Sequence, residues 1–157
     1  VESHFLSEEN IMKSHGLRTT AAAAAIVGLL GISAPAEAKP GGVPAIPLNT
    51  EQEVTGSNTG ASGFFSYTID GTQLCYTLTA RNLSAPATAA HIHEAPRNVA
   101  GRIVIPLEVG TGTSWTISDC TTASATLLAA IEASPRSYYV NVHTPTFPGG
   151  EIRGQLK

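Results

Sequence analysis

Three histidines carry the chemistry that this chain offers. His91 and His93 stand two apart in Ala89-Ala90-His91-Ile92-His93, and His143 closes the run Tyr138-Tyr139-Val140-Asn141-Val142-His143. A neutral imidazole nitrogen is a good ligand for copper or zinc. Both runs alternate polar and apolar residues, which is the period of a half-buried strand. Side chains in a strand alternate faces, so His91 and His93 share one face while Ala90 and Ile92 take the other. Asn141 and His143 likewise oppose Val140 and Val142. With the apolar faces turned to a core, all three rings stand on the outer surface of a sheet, and they meet if the two strands pair. Two rings spaced i and i+2 grip one ion, and a third from a neighbouring strand completes a site with a position left open. Copper is the first expectation, because affinity peaks at Cu²⁺ in the Irving–Williams order, with zinc the alternative. Glu53, Glu151 and Asn141 are candidates to orient the rings by hydrogen bonding.

The competing reading makes the histidines architectural, bonded to backbone or carboxylate groups and tying strands together. Arg153, in Glu151-Ile152-Arg153, is expected on an exposed, salt-bridged edge of little energetic weight. Other chemistries find no support. The chain has no Gly-x-Ser-x-Gly elbow, no phosphate loop and no dinucleotide fingerprint. An enzyme built on this sequence would have to work through the metal, and the balance leans against an enzyme.

The elements that must position the histidines are short strands separated by turn residues. Gly63 to Asp70 and Gln73 to Ala80 flank Asp70-Gly71, a tight-turn signal, and together predict a hairpin. Ala89 to Glu94, Gly101 to Val109, Ser114 to Ser118, Tyr138 to His143 and Glu151 to Leu156 supply five more strands, and Leu48 to Val54 an eighth. One short helix is expected over Ser124 to Ala133, ended by Pro135. Many short strands with little helix predict an all-β, antiparallel sandwich or barrel.

That domain is expected to begin near Leu48. Residues 1–11 carry Glu2, Glu8 and Glu9 and read as an upstream extension. Residues 12–38 combine a basic start at Met12-Lys13, an apolar run from Ala21 to Ile32 and the small-residue site Ala36-Glu37-Ala38, the pattern of a secretory signal peptide cut near Ala38. The apolar run falls short of the roughly 20 residues of a membrane-spanning helix. Lys39 to Pro47 reads as a flexible leader rich in Pro and Gly. A secreted or periplasmic location follows, with no membrane insertion of the mature chain. From Lys39 onward the chain has seven Lys or Arg against eight Asp or Glu, which gives no reason to expect a nucleic-acid partner. Cys75 and Cys120 both lie in the exported part, and an even count in an oxidising compartment favours a disulfide between them. The bridge is expected to pin the loop around Asp119-Cys120-Thr121 to the outside of the sheet.

Several segments carry a resemblance. Gln52-Glu53-Val54, Ala61-Ser62-Gly63, Ala89-Ala90-His91-Ile92-His93, Gly101-Arg102-Ile103-Val104-Ile105-Pro106-Leu107, Tyr138 to Thr144 and Pro148-Gly149-Gly150-Glu151-Ile152-Arg153-Gly154-Gln155-Leu156 together resemble the CHRD domain, first named in chordin and common in small secreted bacterial proteins. The resemblance implies a Greek-key, immunoglobulin-like barrel related to that of the copper-zinc superoxide dismutases. Where family members often carry x-Gly-x-x-Gly after the histidine pair, this chain keeps only Gly101. A superoxide dismutase copper centre also needs four histidines, and the mature chain has three, so activity of that kind is not expected. Three functions remain: an exported metal-binding module for storage, delivery or sensing, a structural module with a protein partner in the envelope or outside the cell, and a metal-dependent redox enzyme.

Overall fold

The computed structural model describes residues 45–157. The expected upstream extension, the signal peptide and positions 39–44 of the leader lie outside the described residues. Eight strands run β1 (Ile46–Asn49), β2 (Ser62–Asp70), β3 (Gln73–Arg81), β4 (Ala89–Glu94), β5 (Arg102–Leu107), β6 (Trp115–Thr122), β7 (Tyr138–His143) and β8 (Ile152–Gln155). One helix, α1 (Ala125–Ala133), lies between β6 and β7. All strand pairings are antiparallel, in the order β5-β4-β7-β8-β1-β2-β3-β6. In β8-β1-β2-β3, a late strand returns beside three consecutive ones, the Greek-key pattern. The all-β expectation with one short helix holds.

The core follows from the alternation. Phe65 and Tyr67 of β2, Leu74, Tyr76 and Leu78 of β3, Ile92 of β4, Ile105 of β5, Val140 and Val142 of β7 and Ile152 of β8 form one buried cluster. Leu128 and Ile131 carry α1 into it, and Ser124 caps the helix by accepting from Leu127 N. Gly63 and Gly154 have no room for a side chain. A Cβ at Gly63 would collide with the carbonyl of Thr79, and one at Gly154 would stand 2.7 Å from that of Pro47.

Two expectations about boundaries are corrected. The first described strand opens at Ile46, two residues ahead of Leu48, because Ile46 and Pro47 pair with Phe65 and Phe64 of β2. Ile46 is fully buried, which anchors the end of the expected leader by roughly 1.5–3 kcal/mol of apolar burial. Cys120 lies within β6, which continues four residues past Ser118, and is not in a loop. It stands directly opposite Cys75 of β3 with Cα atoms 3.9 Å apart, and the disulfide joins them. Asp119 beside it is exposed and carries the strand on, so the polar run Ser118-Asp119-Cys120-Thr121 that looked like a turn is a solvent-facing edge.

Candidate metal centre

β4 and β7 are neighbours, with His91 opposite Asn141 and His93 opposite Tyr139. The three histidines therefore share one outer face, as their phase requires. His143, opposite Ala89, sits diagonally across from His91, and His91 Nδ1 lies 3.0 Å from His143 Nε2. One ligand nitrogen from each of His91, His93 and His143 falls within 4.8 Å of the others. Two nitrogens bound to one ion at 2.0–2.1 Å stand at most about 4.2 Å apart, so a small ring rotation closes the set. A bulge on the β5 side between Ile92 and His93 alters the spacing of the two rings relative to that strand.

The rings are not surface residues, contrary to expectation. His93 is 6% exposed and His143 8%, because two loops fold over the outer face of the sheet. Each loop also fixes a ring. Gly101 O accepts from His93 Nδ1 at 2.9 Å, and Pro148 O accepts from His143 Nδ1 at 2.9 Å. Both rings are thereby held with the proton on Nδ1, so that Nε2 is the unprotonated nitrogen of each; that of His143 accepts from His91 Nδ1. His93 Nε2 is buried without a hydrogen-bond partner. Gly101, the glycine this chain keeps, is required: a Cβ there would meet the carbonyl of Glu94.

Electrostatics keep the rings neutral. Burial, and then the neighbouring His143 and His93, push His91 down to about 4. Burial also lowers His93 and His143, against the opposing effect of the carbonyls that accept from them. Neutral imidazole is the form that binds a metal.

The expected supporting groups divide. Asn141 lies between Glu53 and His93, close enough to influence the acidity of both, but its Oδ1 is buried without a partner. Burial raises Glu53 to about 7, against the Arg153 guanidinium and the Asn141 amide that lower it. Glu151 supports no ring directly. Its carboxylate is fully buried and accepts from Thr59 Oγ1, Ser84 N, Ser84 Oγ and Thr144 Oγ1 at 2.7–2.8 Å. Through Thr144 it anchors the loop that carries Pro148, so its influence on His143 is indirect.

Arg153 is not the exposed edge residue expected. It is fully buried, donates to Val99 O and Pro96 O at 2.9 Å, and lies 3.3 Å from the centre of the Tyr139 ring. Tyr139 in turn stacks on His93, with ring centres 4.8 Å apart and planes at 8°. Arg153, Tyr139 and His93 thus form a continuous stack. Tyr139 was not expected at the site, although it shares the strand phase of Asn141 and His143.

A family model for the CHRD domain matches residues 45–156. The chain belongs to the CHRD domain family. No curated protein and no solved structure matches it.

Proposed function

We propose that this CHRD domain binds one transition-metal ion through His91, His93 and His143, copper by first preference and zinc by second, as an exported module for metal storage, delivery or sensing. The observation that carries the reading is the convergence of three neutral imidazoles, two of them locked by loop carbonyls in the tautomer that keeps the proton off Nε2. A purely structural histidine needs no free buried nitrogen, and His93 Nε2 is one. Imidazole-only donors suit Cu²⁺ above other divalent first-row ions. Export is supported by the signal-peptide pattern ahead of the domain and by the disulfide. Among the described residues no helix is long and apolar enough to cross a membrane.

A second reading rests on the 3.0 Å contact between His91 Nδ1 and His143 Nε2. If that bond and the two carbonyl bonds are the purpose of the rings, the domain is an architectural module and acts through a protein partner. A redox enzyme is the weakest reading, because no fourth histidine is present among the described residues. Metal analysis of protein made without a polyhistidine tag decides between them. The expected result is one copper or zinc per chain after loading and desalting. Failure to take up either ion at micromolar concentration would hand the site to the architectural reading.

A further inference from the structure

A second feature lies apart from the histidines and uses none of them. A pocket of about 520 Å³ opens where β1, the 3₁₀ turn Thr50–Gln52 and the end of β8 meet the segment before β7. Arg97, Arg136 and Lys157 line it, together with the amides of Asn49 and Gln52, and no carboxylate side chain does. This concentration of positive charge is unusual on a chain whose net charge is −3.

The distribution of the remaining cations sharpens the point. The described residues include six Lys and Arg side chains. Arg102 is paired with Glu94, Arg81 lies over the ring of Phe64, and Arg153 is buried on Tyr139. The other three line this pocket, and no side-chain hydrogen bond or ion pair occupies them among the described residues. Like charges gathered with no carboxylate side chain among them repel one another, and an anion between them relieves that. Two guanidinium groups present planar donor forks that match carboxylate oxygens in pairs.

The walls narrow the choice of anion. Ile46 and Pro47 of β1 and Leu156 after β8 give an apolar side, and the amides give neutral hydrogen-bonding groups. The volume lies within the range of small-molecule sites and leaves a bare inorganic oxyanion without contacts on most sides. The floor is rigid: Gln155 Nε2 donates to Ala95 O, Arg136 O and Tyr138 O at 2.8–2.9 Å, and Gln52 Oε1 accepts from Gln155 N. These bonds fix the segment that carries Arg136 against β8 before any ligand arrives.

We infer that this pocket binds a small organic polycarboxylate, held by Arg97, Arg136 and Lys157 with its carbon skeleton against Ile46, Pro47 and Leu156. The site is independent of the metal reading and stands or falls separately. Titration of metal-free, ¹⁵N-labelled protein with propane-1,2,3-tricarboxylate, a weak chelator, tests it by NMR at about 0.15 M salt. Saturable shifts should centre on the amides around Arg97, Arg136 and Gln155. Arg136→Ala and Arg97→Ala should each weaken binding at least about tenfold, the loss expected of one charge-assisted bond pair. Arg81→Ala, which removes an exposed cation elsewhere, should leave it within about twofold. Inorganic phosphate should bind at least about tenfold more weakly than the tricarboxylate. The proposal is overturned if no saturable shift appears by about 10 mM, if Arg81→Ala costs as much as Arg136→Ala, or if phosphate binds as tightly.

Discussion

Proton position decides what the histidines can do. With Nδ1 of His93 and His143 committed to Gly101 O and Pro148 O, each ring offers Nε2 alone, while His91 donates from Nδ1 to His143 Nε2, a bond that a metal ion between the two nitrogens would replace. His91 is the most exposed of the three, so His91→Ala should abolish stoichiometric copper binding and shift the urea midpoint little. His93→Ala should abolish binding too, but it also strips a partner from Gly101 O and from the Tyr139 ring, and should cost roughly 1–3 kcal/mol in urea unfolding. A variant pair with equal stability losses would show that His91 is as structural as His93. Acidity provides a second measurement. His91 in the fold lies near 4, below its ordinary 6.5, so protons compete for it only in fairly strong acid. Metal should therefore stay bound on acidification to about pH 5 and be released as the pH approaches 4, followed by copper absorbance or a zinc dye. The same shift affects folding. Below 6.5 the unfolded chain takes up protons that the fold refuses, so metal-free stability contributed by His91 is full above about 6.5 and is lost as the pH falls toward 4. Glu53 has the opposite sign: raised to about 7, it favours the fold below about 4.5 and loses that contribution as the pH rises through 7. Glu53→Gln should accordingly raise the urea midpoint at pH 8 more than at pH 5, and an equal change at both would remove burial of its charge as the cause.

Two loops turn a row of outward-facing side chains into an enclosed site. Segment 95–101 supplies Gly101 O to His93 and accepts from Arg153 at Pro96 and Val99, while segment 144–150 supplies Pro148 O to His143. The strands and their phases were legible because the period of two leaves a repeating trace in Ala90, Ile92, Val140 and Val142. The cover was not, because loop carbonyls have no residue-type signature and only Gly101 hinted at one. Arg153 was misread for a related reason. Strand alternation puts it on the outer face, where an arginine is normally solvated, and only the tertiary fold lays Tyr139 and the 95–101 loop over it. Glu151 was expected to orient a ring, and spacing cannot show that its partners Thr59 and Ser84 arrive from loops far away in sequence. Its carboxyl is held below the usual range although burial pushes the other way, because donors from Thr59, Ser84 and Thr144 together outweigh it. Glu151→Gln replaces one acceptor oxygen with a donor that faces other donors. The expected result is a loss of about 2–4 kcal/mol in urea unfolding together with weaker metal binding, through release of the Thr144 end of the loop. Gly150 sets the other end at φ +125°, where a side chain is strained and a Cβ would run into Glu53 and Asn141. Gly150→Ala should weaken metal binding in the same way, and a variant that binds normally would disconnect the loop from His143.

At the scale of the whole molecule, the sheet separates what holds the chain together from what binds. The metal centre stands on β4 and β7, and its hydrogen bonds reach only the two covering loops. The disulfide joins β3 to β6, and in the pairing order β8, β1 and β2 lie between those strands and the histidines. β6 is one of the two edge strands, held on its paired side by eight register positions to β3, so the covalent link secures a strand that has a single neighbour in the sheet. The sheet's two ends approach each other where Tyr76 Oη accepts from Glu108 N at 2.8 Å, which places β3 beside the residues that follow β5. Because Cys75 and Cys120 are 45 residues apart, the bridge removes unfolded-state freedom worth about 4 kcal/mol in the chain-entropy model. Reduction, or the Cys75→Ser/Cys120→Ser pair, should therefore lower stability by up to about that amount while the β3–β6 ladder stays formed in the native state. Metal stoichiometry should remain one per chain under conditions where the reduced protein is folded, since no bond at the histidines depends on β6. Parallel urea melts and metal titrations of oxidised and reduced protein measure both quantities on one sample. Loss of metal binding in a reduced protein that still unfolds cooperatively would mean that the contact between Tyr76 of β3 and Glu108 transmits strain to His91 through Pro106, its partner in the ladder.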